Sequence, residues 1–290
     1  MKPAVFDYHD PRHIDEALEL LGTLGDAAKA LAGGQSLVPL MNFRLARPAH
    51  LVDLNRVAGL ADLRTEDGWL VIGAMARQHT VERSPLLRQW PLIGEALGQV
   101  GHLAIRCRGT IGGSLAHGDP AAELPAVMAA LDARFEVRSR TRRRASGPGE
   151  FFVSQLTTSL QPDELLVEVR VPPLPPRTGW SFREISRRHG DFALVGVAAL
   201  LTLDPAGAVE RARLVFTGVG PVPTRAAAAE AALVGQPPGA LVLREAAELA
   251  ARDLDPPSDL HASAEYRREV AQVLAREALV ESASRAVRAA

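Results

Sequence analysis

The sequence predicts mixed helices and strands arranged in two parts, and three features carry that reading. Short apolar runs of strand length alternate with short helical patterns before Val171. The stretch "VPPLPPRTG" at 171–179 holds four prolines and a glycine, which neither helix nor sheet can run through, so a domain boundary is expected near residue 175. Beyond it, three strand-like runs precede Ala-, Leu- and Glu-rich helical segments that extend from Arg225 to Ala290.

From Pro11 to Leu24, Ile14, Ala17, Leu18, Leu20 and Leu21 share one helical face, and Gly22 and Gly25 close the segment. "AKALAGG" reads as a short strand entering a glycine turn, "LVPLMNFRL" as a short helical piece and "HLVDL" as a second strand, a small βαβ-like unit ending near Leu60. "WLVIGAM" is a further strand, and "VERSPLLRQWPLIGEALGQV" a helix restarted by Pro85 and Pro91. After "GTIGGS", read as a turn, Asp119 is expected to cap a helix that starts at Pro120 and runs through "AAELPAVMAAL". "RFEVRS", "EFFVSQ" and "ELLVEVRV" read as strands, and "WSFREIS", "FALVGVAALLTL" and "ARLVFTGVG" as the three strands of the second part.

With 290 residues, 47% of them hydrophobic and 23% charged, the chain can bury a sizeable core. Its 33 basic and 34 acidic residues leave no net field for a polyanion or an anionic membrane, so nucleic acid is not an expected partner. Cys107 is the single cysteine, which excludes an internal disulfide and any cysteine-held zinc or iron–sulfur site in this chain, and it fits a reducing cytosol. "MKPAVFDYHDP" lacks the apolar segment of a signal peptide, so no export is expected. The longest apolar run, at 192–203, falls short of the ~20 residues that cross a bilayer.

Two glycine pairs stand out. A Gly-Gly pair at a strand exit leaves consecutive N–H groups bare and permits positive φ, which together make a small concave anion site. The chain offers one at Gly33-Gly34 with Ser36, and another at Gly112-Gly113 between Thr110 and Ser114. Two such loops could hold the two ends of one pyrophosphate. No G-x-G-x-x-G follows a strand, and Lys2 and Lys29 lie outside any G-x-x-x-x-G-K pattern, so Rossmann and Walker sites are excluded.

"AGGQSLVPLMNFRLARPAHLVDL", "IGAMARQHTVERSP", "IRCRGTIGGSLAHGDPAAELPA" and "FREISRRHGDFALVGVAA" together resemble the FAD-binding medium subunit of molybdenum hydroxylases, the flavin chains of the carbon monoxide and xanthine dehydrogenase type, over about Pro3 to Val280. The resemblance implies an α+β fold. Two subdomains, about 1–60 and 61–175, would form an FAD-binding domain of the PCMH type, which is vanillyl-alcohol-oxidase-like, and residues 176–290 a C-terminal domain of a three-stranded antiparallel sheet and helices.

Ala32, Gly33, Gly34, Gln35 and Ser36 correspond to the family's first pyrophosphate loop, and Thr110, Ile111, Gly112, Gly113 and Ser114 to its second. Glu123 matches an acidic position suited to cofactor hydroxyls, and Val100, Leu166 and Arg183 match further flavin contacts. The diphosphate of FAD is then expected to press on Gly33 and Gly34, where a Cβ would displace it. Gln35 stands where some relatives of the broader fold attach flavin through histidine, so non-covalent FAD is expected.

The family role is electron transfer: a large molybdopterin subunit oxidises substrate, a small subunit with [2Fe–2S] clusters relays electrons, and the flavin chain passes them to an outside acceptor. A cytoplasmic dimer of heterotrimers is implied, with contact to the inner membrane face through the acceptor left open. No catalytic acid, base or nucleophile is expected here. A flavin-free assembly module and a stand-alone flavin oxidoreductase are the alternatives.

His102, His117 and His189 lack metal-ligand spacing and read as loop packing or hydrogen bonding. Cys107 reads as a packed small side chain, and Asp191 as a turn residue. Arg138, Arg140, Arg142, Arg143 and Arg144 read as a solvated hairpin, with an acidic partner surface as the other reading.

Overall fold

The computed structural model describes residues 2–289. Its first unit is a parallel sheet of β1 (Asp7–His9), β2 (Ala28–Leu31) and β3 (His50–Asp53), in the order β1-β3-β2. The helix Ile14–Leu24 buries Ala17, Leu18 and Leu21 against Ala28, Val52 and Leu54. Strand β1, with the sequence DYH, has no apolar run to announce it; it forms because its backbone pairs with the edge of β3.

The second unit is an antiparallel sheet. It comprises β4 (Leu63–Glu66), β5 (Trp69–Gly73), β6 (Arg134–Arg138) and β7 (Arg143–Ser146) and, after the separate hairpin of β8 (Phe152–Ser154) and β9 (Thr157–Thr158), β10 (Leu165–Val171). The order β4-β5-β10-β6-β7 places β10 at the centre. Helices Pro91–Leu97 and Glu123–Ala130 pack with this sheet around Trp90, Leu92, Ile93, Leu97 and Phe135, all wholly buried. The buried Trp90 indole N–H donates to the Pro172 carbonyl at 2.7 Å, so the aromatic body keeps its one polar group satisfied.

The third unit is the antiparallel sheet of β11 (Thr178–Ser186), β12 (Ala193–Leu203), β13 (Val209–Thr217) and the two-residue edge strand β14 (Thr224–Arg225), covered by helices Ala240–Arg252 and Ala264–Arg288. Every residue of β12 is buried. Alternation explains why: Val195, Val197, Ala199, Leu201 and Leu203 face the helices, while Ala198 and Leu200 face the core of the second unit. A strand covered on both faces reads as one continuous apolar run.

Contact with the C-terminal helix depends on Gly179, where a Cβ would lie 1.8 Å from the Ser282 carbonyl oxygen and 2.5 Å from the Ala286 amide nitrogen. Gly179→Ala is expected to lower stability by about 3 kcal/mol, the upper range of overpacking. An unchanged urea midpoint for that variant would contradict this packing.

Several expectations are corrected. Asp119 does not cap a helix starting at Pro120: the helix is Glu123–Ala130, its N-cap is Ala122, and the Asp119 carboxylate accepts from Ala121 N at 2.9 Å. The intervening carbonyls are already taken, since Thr217 Oγ1 donates to Pro120 O and Ala122 O, and Gly218 N donates to Pro120 O. "GTIGGS" is the start of a helix, Ile111–His117, rather than a free turn. In "EFFVSQ" a helical turn, Pro148–Phe151, precedes β8. Cys107 is exposed, not packed. The arginine hairpin is β6–β7, but Arg138 pairs with Asp15 and Arg144 with Glu164, so it is not wholly solvated. Among the described residues, no helix is long and apolar enough to cross a membrane.

Candidate functional site

Strand β2 delivers the chain into Ala32–Ser36, and the short helix Leu37–Asn42 carries it away. Gly34 sits at φ +75°, a conformation that costs a side-chain-bearing residue strain. The amides of Gly33, Gly34, Gln35 and Ser36 donate to no acceptor among the described residues. Four consecutive bare N–H groups form a concave donor array suited to an anion. The loop floors a cleft of about 390 Å³, whose walls include Asn42, Asp53, Asn55 and Arg108. Like the loop, Asp53 and Asn55 lie at the carboxyl ends of parallel strands, where open parallel sheets place ligands.

The second glycine stretch is built differently. Ile111 N donates to Ala76 O at 3.0 Å, Gly112 N to Ala74 O at 2.8 Å, Gly113 N to Thr110 Oγ1 at 3.0 Å and Ser114 N to Thr110 O at 3.2 Å. No amide from 111 to 114 is left bare, because Thr110 caps the helix and the carbonyls of Ala74 and Ala76, in the turn after β5, take the rest. Gly112 is glycine for packing: its Cβ would lie 2.4 Å from that of Ala74. The expectation of two equivalent anion loops is therefore corrected to one bare loop and one occupied loop.

The two stretches nevertheless meet. A Cβ on Gly33 would lie 2.4 Å from Arg108 O and 2.9 Å from Gly109 Cα, and one on Gly113 would lie 3.3 Å from Ala32 Cβ. Within the chain itself, the backbone just before the second loop already excludes a side chain at Gly33.

A polar network absent from the sequence expectations ties the loops together. Asn55 Nδ2 donates to Ala32 O at 3.0 Å and also to Asp53 Oδ1, while Asn55 Oδ1 accepts from Arg77, whose other guanidinium nitrogen donates to Arg108 O. Burial, then the nearby charge of Arg108, lowers the pKa of Arg77. Two guanidinium groups so close together favour an anion between or beside them. The one signal available in the sequence was position: Asn55 and Arg77 each follow closely on a strand end.

The remaining sequence-derived positions are dispersed. Ala32, Gly33, Gly34 and Gln35 line the cleft, and Ser36 starts the next helix without a side-chain cap. Thr110 and Ile111 are buried, and Ile111, Leu166 and partly buried Val100 belong to the core of the second unit. Arg183 is exposed on β11, 3.9 Å from Glu281.

Glu123 is buried, and desolvation, with a smaller contribution from Asp119, pushes its pKa to about 7. Glu184, next to Arg183, is pushed to about 8 by desolvation and then by Glu123, and its Oε2 is buried without a hydrogen-bond partner among the described residues. This carboxyl pair was not visible as a pair in the sequence.

Residues 4–174 match the family model described as the FAD binding domain in molybdopterin dehydrogenase, and residues 180–282 the CO dehydrogenase flavoprotein C-terminal domain. The chain is 45% identical to the 6-hydroxypseudooxynicotine dehydrogenase complex subunit alpha of Paenarthrobacter nicotinovorans, covering 99% of this chain and 97% of that protein. It is 39% identical to the caffeine dehydrogenase subunit beta of Pseudomonas sp. (strain CBB1), covering 99% and 98%. The carbon monoxide dehydrogenase structure from Hydrogenophaga pseudoflava superposes with a TM-score of 0.95 at 38% identity, over 98% of this chain and 99% of that one. With a bare-amide cleft in a domain of this type and relatives along its whole length, the chain belongs to the FAD-binding medium subunits of the molybdenum hydroxylases.

Proposed function

We propose that the chain accepts electrons from [2Fe–2S] clusters on a small partner subunit and passes them to an outside acceptor, within a cytoplasmic complex that also contains a large molybdopterin subunit. The observation that carries the site assignment is the row of bare amides at Gly33–Ser36, in a cleft that Arg108 also lines. That donor set fits the diphosphate of FAD, which these amides would hold with Arg108. Bound flavin supplies the ability to take up electrons singly and release them singly or in pairs. The chain's residues bind and orient it, and Gln35, which cannot take the part of a flavin-linking histidine, leaves the attachment non-covalent. With Cys107 the only cysteine, the clusters belong on a partner.

Within this reading, the division near residue 175 separates an FAD-binding part from a C-terminal part. Glu123 and Arg183, with Val100 and Leu166, are assigned to the flavin end of the site, and Thr110–Ser114 to its back wall.

FAD added to the cofactor-free chain is expected to give oxidised-flavin absorbance at near one equivalent. Gly34→Val, which puts a branched residue at φ +75°, should remain colourless. In the assembled complex, substrate should reduce the iron–sulfur centres and then bleach the flavin; the Gly34→Val complex should stop at the centres. Flavin that stays oxidised while the centres are reduced would refute the electron-transfer role.

A further inference from the structure

We propose that Arg77 is a positioning residue that, through Asn55, locks the two glycine stretches at the spacing the cofactor's diphosphate requires. The inference rests on the reading of the cleft as an FAD site. Its ground is how little else holds the first loop. Among the described residues the amides at 33–36 donate to nothing, and the carbonyls of Gly33, Gly34 and Ser36 accept from Gln35 Nε2, Val38 N and Leu40 N, groups of the loop or of the helix that follows it; Asn55 Nδ2, which holds Ala32 O, comes from outside.

Asn55 can turn only one way in this setting. Its amide nitrogen serves the Ala32 carbonyl and the Asp53 carboxylate, so its oxygen faces Arg77. Arg77 then spans 22 residues in sequence to Asn55 and 31 to the Arg108 carbonyl, and thereby joins the first loop to the second. A second tie supports the same link: Arg77 bridges to Thr110, and Gln78 N donates to Gly109 O at 3.0 Å.

Lysine is a poor replacement, because the two acceptors are met by two separate nitrogens of a rigid planar fork, whereas an ammonium must reach both from a single nitrogen on a flexible stem. Both acceptors are neutral, and the Asp53 carboxylate that lines the cleft already acts on the Arg77 charge, so the part assigned to Arg77 is to hold the loops while Arg108 faces the cleft. Gly33 supplies the close approach of the loops, and Arg77 keeps them from separating again.

The test uses the full cofactor-free chain with Arg77→Ala, Arg77→Lys, Asn55→Ala and the Arg77→Ala/Asn55→Ala double variant. Hydrogen exchange is read at the Val38, Gln78 and Gly113 amides, whose acceptors lie in the two stretches, and FAD affinity is read by titration. Each single alanine variant should lose protection at these amides and bind FAD about 10- to 100-fold more weakly, as for a hydrogen bond to a charged group. The double variant should be no weaker than the worse single one, since both act in one chain of contacts. Arg77→Lys should not restore affinity.

Unchanged protection with weakened FAD binding would overturn positioning in favour of direct charge contact. Lost protection with unchanged affinity would overturn the link to the cofactor. Should the unaltered chain fail to bind FAD while the variants still lose protection, the cofactor reading falls and the latch stands. If Arg77→Ala does not fold, as judged by circular dichroism, Asn55→Ala and Arg77→Lys decide the question.

Discussion

Gly33→Ala is expected to abolish the flavin colour of the purified chain. A single methyl group has this effect because its position is already occupied: 2.4 Å from Arg108 O, 2.9 Å from Gly109 Cα and 3.0 Å from the Arg108 carbonyl carbon. All three atoms are main chain and cannot rotate away as the end of a side chain could. The added carbon must push the second stretch from the first, at a cost of about 1–3 kcal/mol if the fold absorbs it. That movement parts the loops, and a cleft opened by even ~1 Å loses the alignment on which tight binding depends.

FAD affinity is therefore expected to fall by about 100-fold or more, with only modest loss of thermal stability. Gly22→Ala is the matched control. Among the described residues nothing lies within 4 Å of its Cβ position, and in the helix Ile14–Leu24 alanine should add up to about 1 kcal/mol of stability and leave FAD binding unchanged. Titration of both variants with FAD settles the contrast; wild-type affinity in Gly33→Ala would mean the contact between the stretches is irrelevant to the cofactor.

The same residue shows how far the sequence could be read. Gly33-Gly34 after "AKAL" located a loop that must approach something closely, and the residues around it led to the FAD-binding family. Sequence could not say what was approached. Glycine reports that a Cβ is forbidden without naming the neighbour, and Arg108 is remote along the chain. Gly112-Gly113 looked equivalent for the same reason, since a free turn and the first turn of a capped helix share one local signature; only the carbonyls of Ala74 and Ala76 distinguish them.

Asp119-Pro120 is a third case. It carries the residue types of a helix start, yet contacts from β13 hold the following residues as a turn. Long apolar strands and the proline break were legible because their signals are local. The network of Asn55, Arg77 and Arg108 was not, because it exists only once β3, β5 and the second stretch are folded together.

Raising the pH from about 5 to about 8 should destabilise the cofactor-free chain, and Glu184→Gln should remove much of that slope. The buried carboxyls of Glu123 and Glu184 hold their protons to about pH 7 and about pH 8, against 4.5 for an ordinary glutamate. Desolvation is the principal cause at both, and repulsion adds to it: Asp119 acts on Glu123, and Glu123 acts on Glu184. Because the folded chain binds these protons more tightly than the unfolded one, their stabilisation is complete below about 4.5. It is lost progressively as pH rises through the two folded values.

Across that window the loss should be on the order of 1–3 kcal/mol for each carboxyl, one pKa unit corresponding to about 1.4 kcal/mol. Groups shifted the other way act in a different range. Glu164, hydrogen-bonded to Arg144, and Asp259, held by the amides of His261 and Ala262 and by Arg267, have lowered values, so their contribution is lost only in acid. Urea denaturation at pH 5, 6.5 and 8 therefore separates the pair from these two carboxylates, and the comparison with Glu184→Gln separates it from the histidines. Glu184→Gln keeps the side chain's shape, removes its ionisation and relieves Glu123 of a like charge. The variant should match the unaltered chain at pH 5 and exceed it at pH 8. Parallel stability curves for the two proteins would show that Glu184 is hydrated and ionised in the folded chain, and that the unpartnered Oε2 is not shielded from water as the structure places it.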